Sequence, residues 1–354
     1  MIFLALLLIP VLIAGAAFLF SSKITWREFL LQLVIQLAIA GASAWIVFNQ
    51  SVGDVETLNA RIVRKYRDTV SCSHSYQCHP HPVTHGTGKN KYTTTEYDTC
   101  YEHSHDYDWV VASTIGSVEI DRTDRQGVDE PPRFTAAIVG EPFSLAHSYD
   151  NYVKGAPGTL LKRQGLMERY ARALPEYPVH VFDYYRSNRL VLINGAQVSD
   201  PSQWNYDLSE INADLGSRKQ VNMIVVLVKG LPQDYVYALE EKWVLGKKND
   251  VILVVGVDYV NTPQWAYVMA WTHQELIKVS LRDAIMDLPT IEREATLTLF
   301  RREVAQKFVR EPMKDFEYLK ASIVPTTTQW VVSLLIGLIV ALGVAYWVHK
   351  EDVL

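Results

Sequence analysis

Basic residues are in short supply in this chain. Its 354 residues carry 34 Lys and Arg against 39 Asp and Glu, a net charge of −5. Without a basic excess there is no electrostatic footprint for nucleic acid. Cysteine is scarcer still: three residues cannot build a disulfide framework in place of a hydrophobic core. No repeat or low-complexity tract divides the chain. Charge is missing altogether from three long apolar runs, residues 2–20, 29–48 and 330–348.

Each run is about long enough to cross a ~30 Å hydrocarbon layer as a helix. No Lys or Arg precedes the first run, which favours a retained span over a cleaved signal. Trp330 opens the third run and Tyr346-Trp347 closes it, aromatic residues suited to the two interfaces. Lys23 and Arg27 lie between the first two runs. Positive charge stays cytoplasmic, so the large region that follows is expected outside, with Lys350 returning inside. Arg61, Arg64, Lys65 and Arg67 oppose that orientation, but long translocated domains largely escape the rule. Gln32 and Gln36 share one helix face; Gln32 is expected at the interface, and Gln36 to seek a partner in lipid. Ser333, Gly337, Ala341 and Ala345 recur every four residues, a stripe on which another helix, including one from a second copy, can pack.

All three cysteines and six of the ten histidines fall between residues 72 and 105: Cys72, His74, Cys78, His79, His81, His85, Cys100, His103 and His105. Zinc is held by thiolates and imidazoles, so Cys72, Cys78 and Cys100 with His103 or His79 form one candidate metal set. The spacing matches no standard finger. A disulfide between two of the cysteines, leaving the third over, is the competing fate outside the cytoplasm. A His-only copper or zinc site beside a disulfide is a further alternative. Haem attachment is disfavoured, because Cys78-His79 lacks a Cys three residues earlier. No cysteine sits at a helix start, so none is read as a nucleophile.

Residues 109–121 and 133–139 alternate apolar and polar positions and predict antiparallel strands joined by a polar loop. A β-rich domain is therefore expected over residues 54–152, with residues 51–67 a short connection passing into a strand. Gly155, Pro157 and Gly158 mark a boundary. A helix is expected over 160–174, strands over 179–182 and 190–193, and a helix over 207–215. Residues 221–228 and 251–257 are short, apolar and β-branched, as strands buried on both faces are. Between them Pro232 and Asp234 suit a helix start, Val236, Leu239 and Trp243 share a face, and Gly246 with Lys247 and Lys248 suits its end. Strand, helix and strand at this spacing make a βαβ unit with parallel strands. A strand over 265–272 and helices over 281–288 and 292–308 complete an α/β domain.

The run Ala238-Leu239-Glu240-Glu241-Lys242-Trp243-Val244-Leu245-Gly246-Lys247-Lys248-Asn249-Asp250, followed by an apolar strand, resembles the signature of the TPM domain family. The resemblance covers residues 175–325. It implies a membrane-tethered, extracytoplasmic domain; some members are assigned metal-dependent phosphatase activity and others bind partners. Asp258 stands where the family usually has an acidic pair followed by Arg, but here the residues are Asp258-Tyr259-Val260-Asn261. Thr272-His273-Gln274-Glu275 lacks the family's Gly-rich turn. The N-terminal half more loosely resembles a group of uncharacterised membrane proteins of large tailed bacteriophages. Residues 88–91, Asp98-Thr99-Cys100-Tyr101-Glu102-His103, Asp108-Trp109 and residues 121–133 carry this second likeness. That group has further cysteines where this chain has His81, His85 and Thr residues, and no activity comes with it.

The expected protein thus mixes α/β and β parts. Two transmembrane helices (1–49), a β-rich Cys/His domain (54–152), a TPM-like α/β domain with a mixed, partly parallel sheet (155–325) and a last transmembrane helix (329–348) follow one another. The expected function is non-enzymatic: a multi-pass inner- or plasma-membrane protein whose periplasmic body binds another membrane or envelope component. A TPM-type metal-dependent phosphohydrolase using Asp258 with Glu275 or Asp283, and a metal sensor using the Cys/His loop, are the alternatives.

Overall fold

The computed structural model describes residues 5–351, apart from 22, 161, 179, 180, 184 and 185. The chain opens with α1 (Ala5–Phe20) and α2 (Trp26–Val52). Thr25 caps α2 in a reciprocal box with Glu28, which satisfies orphan amides at the helix start. β1 (Gly53–Val70) follows at once, so of the connection passing into a strand expected over residues 51–67 the strand is formed and begins at residue 53. Next come β2 (Ser75–His85), β3 (Tyr92–Tyr101), β4 (Asp106–Ser113), β5 (Gly116–Ile120), α3 (Pro132–Ala136), β6 (Pro142–Asp150) and α4 (Tyr152–Gly155). After them lie α5 (Leu166–Tyr170), the short strands β7 (Val181–Asp183) and β8 (Arg186–Ser187), β9 (Leu190–Ile193), α6 (Pro201–Lys219) and β10 (Asn222–Lys229). The chain finishes with α7 (Tyr235–Trp243), β11 (Asp250–Val257), β12 (Pro263–Ala270), α8 (Leu276–Met286), α9 (Arg293–Lys307) and α10 (Thr327–Glu351).

The architecture is mixed α/β with several sheets. β10 lies between β9 and β11, parallel to both, and β12 closes the order β12-β11-β10-β9 antiparallel to β11. Alternate residues of β10 and β11 point to opposite faces. Met223, Val225 and Leu227 join α6, α8 and α9 in one core; Ile224, Val226 and Val228 join α7 and α5 in the other. Burial on both faces is why these strands read as unbroken apolar runs. Gly256 lies opposite Trp265, where a Cβ would stand 2.1 Å from the indole. Val244, Leu245 and Gly246 all take positive φ after α7, so the left-handed stop spreads over three residues.

The second sheet has the order β5-β4-β1-β6. Residues 53–61 of β1 pair with β6 and residues 62–70 with β4, both antiparallel. The expected strand over 109–121 is a hairpin, β4 and β5 turning at Thr114-Ile115. The expected strand over 133–139 is not formed. Pro131 and Pro132 preset a helical start, and Phe134 and Ala137, three apart, are the buried pair. Of the helix expected over 160–174, Leu166–Tyr170 is α-helical among the described residues. Of the strand expected over 179–182, residues 179 and 180 lie outside the described set.

Two described helices have the length and composition to cross a membrane, Trp26–Val52 and Thr327–Lys350. The first apolar run gives a shorter helix, apolar over Leu8–Phe20, and its residues 2–4 are not described. The three helices pack together. Gln36 donates its amide to the carbonyl of Ala341 at 3.0 Å. Gln32, expected at an interface, is fully buried. Of the small-residue stripe, Ser333 and Ala341 are buried against the chain's own helices and Gly337 and Ala345 are half-buried.

The two sheets are clamped where β1 leaves α2. Lys247 and Lys248 reach Asp54 and Glu56, alternate residues on one face of β1, at 2.6 and 3.1 Å. Asn249 donates to the carbonyl of Thr57, and Asn59 to Asn222 and Val221. Gly216 of α6 lies against Asn59, where a Cβ would come within 2.4 Å of the backbone oxygen. Burial alone would raise the Asp54 carboxyl, but the charge and hydrogen bond of Lys247, with Asn151 and Lys154, outweigh it and hold it below the ordinary aspartate value. A carboxylate depressed on folding stabilises above its unfolded value, and that contribution is lost as pH falls through the folded value. Asp54→Asn is expected to cost on the order of 3 kcal/mol at neutral pH by leaving Lys247 unpaired. It should also flatten the loss of Tm below about pH 4, read by thermal unfolding of the two proteins across pH 3–7.

Candidate functional site

β2 and β3 form a two-stranded ribbon separate from both larger sheets. Nearly every side chain on it is exposed, Tyr76, Tyr92, Tyr97 and Tyr101 among them. A solitary hairpin in water is marginal, so this arm needs cross-links. Two are found along it.

The first is covalent. Cys78 and Cys100 are joined by a disulfide with Cα atoms 5.9 Å apart. This overturns the expectation that Cys72, Cys78 and Cys100 share one zinc site with His79 or His103. The antiparallel register sets Cys78 opposite Asp98 and Cys100 opposite Tyr76, within disulfide reach. His79 sits at a register shift with φ +43°. The bulge turns its ring beside the disulfide, Nδ1 being 3.8 Å from Cys100 Sγ and 3.6 Å from an Asp98 oxygen.

The second lies at the root. Cys72, left over from the disulfide, is buried. Its sulfur stands 3.7 Å from His103 Nδ1 and 3.9 Å from His74 Nδ1. Asp106, fully buried at the start of β4, places one oxygen 3.2 Å from His103 Nδ1 and the other 3.4 Å from His74 Nδ1. Ser73 donates its amide to Asp106, and Arg122 bridges Asp106 and Asp108. Burial pushes the Asp106 carboxyl up, but the donors from Ser73, Arg122, Cys72 and His103 prevail and hold it well below the usual carboxylate range. The four donor atoms lie within 4.8 Å of one another, so Cys72, His74, His103 and Asp106 can hold a metal ion. Cys72 and His103 belonged to the sequence-derived set; His74 and Asp106 did not. Their signals were Cys72-x-His74 and His103-x-x-Asp106, short spacings that acquire meaning once β1 and β4 pair beside them.

Asp258 follows β11 at the carboxyl end of the parallel strands, where ligands of open α/β sheets sit. Its carboxylate accepts the amides of Val260 and Thr262 and so caps its own turn. β12 runs antiparallel, with Ala270 opposite Val251, so His273 and Glu275 emerge at the other end of the sheet. Glu275 pairs with Lys278 and Asp283 with Arg282. The phosphohydrolase set of Asp258 and Glu275 is not assembled. His273, Glu311 and Asp315 form a further group able to hold a metal, on the surface.

Removing the disulfide should free the arm and leave the body folded. Cys78→Ala with Cys100→Ala is expected to cost about 3 kcal/mol of local stability. Limited proteolysis should then cut within residues 75–101, while the unfolding of the α/β core keeps its midpoint. No family model, no curated protein and no solved structure matches this chain.

Proposed function

We propose that this is a multi-pass membrane protein whose extracytoplasmic body binds another membrane or envelope component without catalysing a reaction. One observation carries the reading. A largely exposed ribbon is cross-linked by a disulfide and carried on a strand that continues directly from a membrane-length helix. The disulfide fits an oxidising compartment. At about 3.3 Å per residue, the 18 residues of β1 extend for ~60 Å from α2 towards the ribbon. The ribbon's four exposed tyrosines are the residue type that anchors interfaces. The first apolar run completes a set of three spans, and the cytoplasmic loop is residues 21–28. Residues 155–325 are read as a TPM-like domain, supported by Trp243, Gly246, Lys247 and Lys248 at the helix-to-strand turn. Its role here is to hold the arm. Zinc is the cofactor this reading includes, as a structural ion.

A membrane-impermeant maleimide tests the sidedness. In intact cells no thiol should react before reduction, and Cys78 and Cys100 should react after it. Labelling that requires permeabilised cells overturns the proposal. The absence of catalysis has its own measurement. The purified full chain should hydrolyse an aryl phosphate no faster than its Asp258→Asn variant, with or without divalent ions. Turnover that the substitution abolishes would make the protein a hydrolase.

A further inference from the structure

We infer that Cys72, His74, His103 and Asp106 bind one divalent ion of the zinc class in a closed, four-coordinate site at the root of the β2–β3 arm. The inference deepens the reading of the arm above and rests on it for the oxidising compartment.

Ligand spacing is the first argument. With metal–sulfur bonds of about 2.3 Å and metal–nitrogen or –oxygen bonds of about 2.0–2.1 Å, tetrahedral ligand atoms stand roughly 3.3–3.6 Å apart. Here Cys72 Sγ stands 3.7 Å from His103 Nδ1 and 3.9 Å from His74 Nδ1, and the Asp106 oxygen that faces His103 lies 3.2 Å from its Nδ1, while the 3.4 Å approach to His74 is made by the other carboxylate oxygen. Those three spacings lie within a few tenths of an ångström of the tetrahedral values, and all four donor atoms lie within 4.8 Å of one another. The donor chemistry is the second argument. A thiolate, two imidazoles and a carboxylate select zinc and its neighbours, whereas calcium and magnesium take oxygen ligands.

The surroundings fit ligands rather than an accidental cluster. Ser73 N–H and Arg122 fix one Asp106 oxygen and leave the other towards His103. The Cys72 sulfur accepts the backbone amide of His74 at 3.4 Å. Such outer hydrogen bonds orient ligands around a metal. The charges close as well. The Cys72 thiolate and Asp106 carboxylate balance a divalent ion, and Arg122 is matched by Asp108. Burial of a lone cysteine in a polar pocket of an oxidising compartment also finds its reason, because ligation keeps the thiol from exchange.

All four positions are filled by protein, which makes the ion structural and not hydrolytic. The ligands come from the loop after β1, the loop after β3 and the first residue of β4. The ion therefore ties both feet of the arm to the long strand, where Glu102 already donates its amide to the carbonyl of His74.

The test uses the full chain purified in detergent without chelators, with bound metal counted by mass spectrometry. One zinc per chain is expected. Cys72→Ser and Asp106→Asn should each lower it at least tenfold, while Cys78→Ser with Cys100→Ser keeps it. Cobalt substitution of the unaltered protein provides a readout independent of how the variants fold. It should show a thiolate charge-transfer band and the intense visible bands of tetrahedral cobalt. A chain that takes up no zinc and shows no thiolate band overturns the site, as does zinc retained by both Cys72→Ser and Asp106→Asn. If the maleimide still reports the disulfide outside the cell, such a result refutes the ion and leaves the exposed arm standing.

Discussion

The structure depends on a buried clasp between two lysines and two carboxylates. Asp54 and Glu56 are the second and fourth residues of β1, directly after the membrane-length helix, and Lys247 and Lys248 come from the turn between α7 and β11. Glu56 is also held by Arg310, so two segments distant in sequence converge on one strand. Ion pairs this far from water require compensating partners on every side. Asn151 donates to Asp54, and Asn249 and Asn59 satisfy the neighbouring backbone and side chains. Such a polar seam adds less to stability than an apolar one of equal size. What it fixes is register, because only one alignment of β1 on the α/β unit pairs every charge.

That alignment sets where the arm goes. β1 has its first half locked to β6 and the clasp and its second half to β4. No flexible linker lies between the membrane-length helix α2 and the sheet, so the direction of β1 is inherited by everything beyond Val70. The ribbon has almost no core of its own. Its order comes from the Cys78–Cys100 bond and from the polar cluster at its root. The molecule is thus graded, from a three-layer α/β unit, through a small core around Trp109 and Phe143, to a two-stranded ribbon held by its own pairing, a disulfide and a polar cluster at its root.

The same grading bears on chemistry. The α/β unit is densely packed, and the acidic residues at its strand ends are already engaged. Asp258 binds backbone amides, while Asp250 is buried among Tyr177, Asn222 and the Lys247 amide. Burial raises the Asp250 carboxyl even against those donors, as suits a structural group. Exposed reactive side chains collect instead on the arm, which also carries the disulfide.

Local pattern made the central unit legible in the sequence. β10 and β11 are buried on both faces, so their apolar runs announce them, and α7 between them carries its own start and stop. The apolar helices were legible for the same reason. Other elements depend on partners far along the chain. β2 and β3 are rich in Thr, Tyr and His with no apolar face, so nothing local marks them as paired strands. The prolines before Phe134 decided for helix against an alternating pattern. Lys247 and Lys248 read as helix-end charges, and only their meeting with Asp54 and Glu56 shows them to be a clasp.

The sequence by itself determined that the three cysteines and six histidines would gather in one window, and that a parallel α/β unit would lie between apolar ends. Tertiary structure alone decided which cysteines bond and which one joins His74, His103 and Asp106. Proximity among those groups is created by the pairing of β2 with β3 and of β1 with β4, and strand register is a property of two segments at once.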